Sequence, residues 1–235
     1  MDNPISVRNI SVAYDFTSIL DEVSFEVKSG EFIAIVGKSG SGKTTLLNTI
    51  AGFIDHTGTI ASRGKIGFCF QNHCLFYWMT VAENIAFGLD ERNTVDRQAA
   101  IRGILQKIDM SDHHDKYPGE LSGGQVQRVA LGRAIAGKPA ILLLDEPFCN
   151  LDIYTRDQMM DWVLAIIADT GSTVLMVTHY LDEALVLADR IFVLRDKKIQ
   201  QEIEVPFGKP RTQQIRFTEA FQERKLELAT ILNQP

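Results

Sequence analysis

Gly37, Gly42, Lys43 and Thr44 fall at the spacing G-x-x-x-x-G-K-[ST] within the stretch GKSGSGKTT, residues 37–45. Glycines at this spacing let successive backbone N–H groups curl around a triphosphate, and a helix starting at the loop's end adds positive potential. Lys43 then reaches the outer phosphates and the Thr44 hydroxyl ligates Mg²⁺. The whole loop, Gly37, Lys38, Ser39, Gly40, Ser41, Gly42, Lys43, Thr44 and Thr45, is the candidate phosphate cradle.

Two further stretches carry chemistry. ILLLDEP, residues 141–147, is a buried strand that ends in adjacent acids. Asp145 is placed to hold Mg²⁺ through water, and Glu146 to orient and deprotonate an attacking water. LSGGQ, residues 121–125, puts Ser122 and Gln125 at capping-box spacing, which by itself describes a well-capped helix with no ligand. A capping box does not call for Gly123 and Gly124 in the first turn, where each glycine costs about 0.5–1 kcal/mol relative to alanine. Bare backbone at a helix N-terminus suits close approach by a phosphate. Because the first loop already surrounds a triphosphate on its own side, this second anion site faces a nucleotide held by another copy of the chain.

The elements that position these groups alternate. Ile5, Val7, Ile10, Val12 and Tyr14, and then Val23, Phe25 and Val27, read as two half-buried antiparallel strands. EFIAIVG (31–37) reads as a strand covered on both faces, followed by a helix over 44–52 stopped by Gly52. From about Thr80 to Ala136 the chain reads as helical: Thr80 and Glu83 form a second capping box, and Ile101, Ile104, Leu105 and Ile108 follow the helical period. Strand and helix then alternate through 141–146, 153–168, 173–179 and 190–194, which implies a mainly parallel sheet. Phe217, Phe221, Leu228 and Ile231 mark a helical tail over 206–235. The expected class is α/β: a P-loop NTPase core with an N-terminal antiparallel β subdomain and an α-helical subdomain inserted at about 80–136, in a single domain over 1–235.

Composition narrows the function. At 45% hydrophobic and 23% charged the 235-residue chain reads as globular rather than disordered or fibrous. A net charge of −6 offers no basic field, so nucleic acid is not expected as a partner. Apolar runs such as AILLL at 140–144 are far short of the roughly 18–20 residues of a membrane span, and MDNPISV lacks the pattern of a secretory leader. Cys69, Cys74 and Cys149 lack paired spacing and read as reduced thiols, and Asp112–Asp115 as a solvated turn.

Together these motifs resemble the nucleotide-binding subunit of an ATP-binding cassette (ABC) transporter. LSGGQ matches that family's signature in full, and the order of P-loop, glutamine loop, signature, aspartate-glutamate strand and histidine runs from residue 5 to about 205. The resemblance implies ATP and Mg²⁺ as ligands and further roles for single residues. Tyr14, otherwise a strand aromatic, stacks on adenine. Gln71 touches Mg²⁺ or the lytic water, His179 contacts the γ-phosphate, and Asp152 belongs to a loop that crosses to the second subunit. Lys43, Gln71, Glu146 and His179 form the implied catalytic set; Thr44, Gln71 and Asp145 form the metal set.

It also implies partners, namely a second copy packed head to tail, integral membrane permease subunits and indirectly a solute-binding protein, and it places this subunit peripherally at the cytoplasmic face of the inner membrane. Long insertions typical of repair and condensation ATPases are absent from the interval between P-loop and signature, which favours transport over a non-transport ABC ATPase. A separately encoded subunit fits an importer better than an exporter. FYWMTVAENIAFGL, residues 76–89, is similar to the ATPases of nitrate, sulfonate and taurine importers, although Tyr77 replaces their usual proline. Phe76, Tyr77 and Trp78 either line a groove for a permease helix or are plain core aromatics. Cys149 and Asn150 depart from the family's usual SALD, and Lys38 from its usual small residue or proline; Cys149 adds an expectation of thiol sensitivity.

Overall fold

The alternating Ile5, Val7, Ile10 and Val12 become the buried face of β1 (Ile5–Tyr14) in the computed structural model, which describes residues 3–89, 97–149, 151–209 and 211–233. β2 (Thr17–Val27) pairs with it antiparallel, setting Val7 opposite Phe25 and Ile10 opposite Val23, so one face of the ribbon is apolar. β3 (Phe32–Val36) is buried at every position, as its uninterrupted apolar run requires. α1 (Lys43–Ile50) follows the glycine loop and buries Leu46, Leu47 and Ile50. β4 (Thr57–Ser62), which the sequence pattern did not mark, adds to the other edge of β1.

The chain from Lys65 to Gly171 forms a compact unit of its own. Within it β5 (Ile66–Cys69) pairs parallel with a later strand, and α2 (Val81–Phe87) starts at the expected box: Thr80 Oγ1 accepts from Glu83 N while Glu83 accepts from Thr80 N. α3 (Arg97–Lys107) buries Ile101 and Leu105. α4 (Gly123–Ala136) begins at the signature and buries Val129, Leu131 and Ile135 along its length. β6 (Ile141–Asp145), the partner of β5, is fully buried. α5 (Ile153–Thr170) is capped by Asp152 and ended by Gly171 in the left-handed region at φ 65°.

The last stretch, Ser172–Pro235, forms a second unit with Met1–Gly64. β7 (Thr173–Thr178) lies parallel to β3, α6 (Leu181–Leu187) follows, and β8 (Arg190–Arg195) lies parallel to β3 on its other side. β9 (Lys198–Glu204) closes the edge antiparallel to β8. α7 (Glu219–Asn233) is the expected tail helix; Phe221 and Leu228 are buried, whereas Phe217 stands outside it, exposed. The architecture is therefore α/β, with parallel pairing in each unit's buried strands and a separate three-stranded antiparallel sheet ordered β2-β1-β4.

Candidate nucleotide site

The loop at residues 37–45 runs from the end of β3 into α1, the strand-loop-helix context the motif demands. Gly42 is the N-cap of α1 at φ 98°, ψ 11°, a conformation L side chains avoid, and a Cβ there would lie 3.1 Å from Leu20 Cδ2. Without a side-chain cap, the first N–H groups of α1 face the loop. Lys43 is buried, and its ammonium donates to the carbonyls of Gly37 at 2.9 Å and Lys38 at 3.1 Å, so a positive charge is fixed inside the ring of backbone. Ser41 Oγ is shielded from solvent with no hydrogen-bond partner among the described residues. An orphaned hydroxyl, a caged ammonium and open helix amides form a donor set that fits a polyphosphate. Lys38, Ser39, Gly40 and Thr44 are exposed along the rim.

The same unit holds Tyr14 and His179. Tyr14 ends β1, about half exposed, beside a tight turn in which Asp15 and Phe16 both take positive φ and Phe16 is fully exposed. His179 follows β7 on the surface and packs its ring 4.1 Å from that of Tyr180.

In the unit Lys65–Gly171, Gln71 and Glu146 are brought together: the Gln71 amide Nε2 donates to Glu146 Oε2 at 3.2 Å. Glu146 sits just past β6 at φ 43°, a left-handed conformation that costs on the order of 1–3 kcal/mol and recurs at functional sites. Its neighbour Asp145 is buried at the strand's end. Asp145, Thr44 and Gln71 are oxygen donors, the type that Mg²⁺ prefers. Of the three cysteines, Cys69 and Cys149 are buried and Cys74 is exposed; burial pushes the Cys69 thiol up to about 12. Asn150 lies outside the described residues.

The signature helix begins as expected. Ser122 Oγ accepts from Gln125 N at 3.3 Å, and Gln125 Oε1 accepts from Ser122 N at 3.0 Å. The two glycines differ. A Cβ at Gly124 would sit 2.6 Å from Thr155 Cγ2, so a side chain there would force Thr155 of α5 to shift, while a Cβ at Gly123 would meet nothing within 4 Å among the described residues. Thr155 also donates its hydroxyl to Asp152 Oδ2 at 2.6 Å, and Asp152 Oδ1 accepts from the N–H groups of Tyr154 and Thr155. These bonds, the Thr155 hydroxyl foremost, hold the Asp152 carboxyl below the usual range. Asp152 is thus the N-cap of α5, a role the sequence reading did not assign it.

Two residues of this unit escaped the sequence reading. Thr155 carries no motif, and only its approach to Gly124 reveals it. Arg133, on the last turns of α4, donates to the carbonyls of Cys74 and His73, just beyond Gln71.

Residues 20–149 match the family model described as ABC transporter. The taurine import ATP-binding protein TauB of Roseobacter denitrificans is 38% identical over 225 residues, covering 87% of this chain and 83% of that protein. The aliphatic sulfonates import ATP-binding protein SsuB 3 of Paraburkholderia xenovorans is 44% identical over 196 residues, covering 83% of this chain and 78% of the relative. Among solved structures, the dimeric post-hydrolysis state of the ATP-binding cassette MJ0796, bound to ADP and Pi, superposes with a TM-score of 0.77 at 29% identity, over 87% of this chain and 100% of that one. With its P-loop, signature and aspartate-glutamate strand in place, this chain belongs to the ABC transporter family, as one of its ATP-hydrolysing cassettes.

Proposed function

We propose that this cassette works as a head-to-tail dimer in which each ATP is held between the P-loop of one copy and the signature of the other, and that it powers import of a small solute through a membrane permease. The observation that carries the hydrolytic reading is the Gln71–Glu146 contact, an amide locked onto a carboxylate at the end of a buried strand. Gly123 supports the dimer reading, because a Cβ built on its bare backbone at the tip of α4 would meet nothing within 4 Å among the described residues.

In this reading Lys43 and the loop amides hold the β- and γ-phosphates, and Tyr14 stacks on the base. Glu146 accepts a proton from the attacking water, whose oxygen bonds to the γ-phosphorus as the bond to ADP breaks, releasing inorganic phosphate. Gln71 orients Glu146 and that water, and His179 contacts the γ-phosphoryl oxygens. Thr44, Asp145 and Gln71 would hold Mg²⁺, which when bound neutralises phosphate charge. Ser122, Gly123, Gly124 and Gln125 of the second copy close the other side, with Asp152 beside the seam, and closure excludes water.

The relatives' names, import ATP-binding proteins for taurine and aliphatic sulfonates, support an importer of small solutes of the nitrate, sulfonate and taurine type. No helix among the described residues is long and apolar enough to cross a membrane. In this reading a permease and a solute-binding protein are the partners, and the cassette docks peripherally at the cytoplasmic face. Its docking face is the aromatic group around Phe76, whose ring meets Phe87 edge-on at 4.7 Å and Trp78 at 5.3 Å, with Tyr77 and Trp78 largely exposed.

The test is Glu146→Gln. Loss of a general base slows hydrolysis by about 10²–10⁴-fold, while ATP binding persists and the ATP-bound form elutes as a dimer. Near-normal turnover in that variant overturns the reading.

A further inference from the structure

Between Gln71 and Phe76 the backbone turns through His73 at φ 59° and Cys74 at φ 49°, two consecutive non-glycine residues in the left-handed region. Such a conformation is strained for a non-glycine residue and persists only where the surroundings over-determine it. Arg133 supplies that constraint. Its guanidinium donates to Cys74 O at 2.6 Å and to His73 O at 2.8 Å, one hydrogen bond to each strained residue, and stacks over the Phe76 ring at 5.5 Å. Only a planar fork on a long stem reaches both carbonyls and a ring face at once.

Both ends of the bend are tied to something that matters. Upstream, Gln71 donates to Glu146. Downstream, Asn84 of α2 is fully buried and clasps Phe76, accepting from its N–H at 2.9 Å and donating to its carbonyl at 3.1 Å. α2 in turn closes on α4 beside Arg133: a Cβ at Gly88 would lie 2.1 Å from Arg133 O. Arg133 therefore stands where the signature helix, the aromatic face and the Gln71 loop meet.

We propose that Arg133 is a positioning residue for Gln71: it clamps the His73–Cys74 bend so that Gln71 stays on Glu146, and it ties that placement to the aromatic face at Phe76. The proposal rests on the reading of Glu146 as the general base. The partners of Arg133 are two backbone carbonyls and an aromatic ring, not a group assigned to the hydrolytic step. The clamp acts only through the loop.

The experiment compares wild type, Arg133→Lys and Arg133→Gln, each with and without Gln71→Ala. The readouts are kcat and KM for ATP, thermal unfolding, and amide hydrogen exchange over residues 70–76. Lysine keeps the charge but cannot bond both carbonyls in the arginine geometry. The expected result for Arg133→Lys is a kcat lower by about tenfold, equivalent to about 1.4 kcal/mol. KM should stay within about twofold, because the P-loop is untouched, and exchange should quicken at 70–76 but not along α4. In the Gln71→Ala background the same change should cost nothing further in kcat, since two residues acting through one contact are not additive.

Full kcat in Arg133→Lys and Arg133→Gln, an undiminished further loss in the Gln71→Ala background, or unchanged exchange at 70–76 overturns the proposal. So does an Arg133→Lys chain that fails to fold, which makes Arg133 a core residue. A wild type without Glu146-dependent hydrolysis instead overturns the parent reading, and exchange at 70–76 in Arg133→Lys still decides the clamp.

Discussion

Gly123 and Gly124 are neighbours with different reasons to lack a side chain. The sequence shows only that two glycines are a costly way to begin a helix. Thr155, distant along the chain, explains Gly124 from within the molecule, and no local pattern can reveal such a contact. Gly123 is left with open space, the condition for approach by a ligand. Gly124→Ala should therefore depress ATPase activity by pushing the signature tip off α5, and adding Thr155→Ser should restore at least half of it, because serine lacks the clashing methyl but keeps the hydroxyl that bonds Asp152. Gly123→Ala should not respond to Thr155→Ser. Equal rescue of both glycine variants, or of neither, would refute the distinction, with steady-state hydrolysis as the measurement. Ser122, Gln125, Thr80 and Glu83 were legible as capping residues because a box is written in four consecutive positions. Arg133 was not, since the carbonyls it holds belong to a loop far upstream.

Elements were legible where burial is one-sided or complete. β3, β6 and β7 are buried throughout with apolar middles, and β1 alternates on either side of the irregularity at Arg8 and Asn9, so period and length identify them. β4, β5 and β9 were missed for a shared reason. β4 is exposed at nearly every position, β5 is four residues long with a central glycine, and β9 buries only Ile203 along a polar run. Each is defined by the strand it pairs with rather than by its own pattern. The segment leading into α2 is the informative element for function. Its aromatics are neither wholly core nor wholly surface: Phe76 packs on Phe87 and Trp78 while Tyr77, Trp78 and Phe87 remain largely exposed. Trp78→Ala should leave the isolated cassette's ATPase within about twofold, since Trp78 is far in role from the phosphates, yet weaken permease assembly by about 2 kcal/mol or more, as loss of an aromatic anchor does. Unchanged co-purification with the permease and unchanged ATP-driven uptake would remove this face from the account.

At the scale of the whole molecule the proposed site residues divide between two compact units: Tyr14, the P-loop and His179 in one; Gln71, Glu146, the signature and Asp152 in the other. The motif order made the fold class readable in advance. The unit boundaries at Lys65 and Gly171 were not, because they fall at a loop and a helix end without a linker signature. The central claim is that one polypeptide supplies only half of each ATP site. The most direct measurement is a crystal structure of Glu146→Gln with Mg-ATP. The account predicts a dimer in which Ser122 Oγ and the Gly123 N–H lie within hydrogen-bond distance of the γ-phosphate bound by the second copy's Lys43. A triphosphate bound at Lys43 with the signature tip of every copy facing solvent would contradict it.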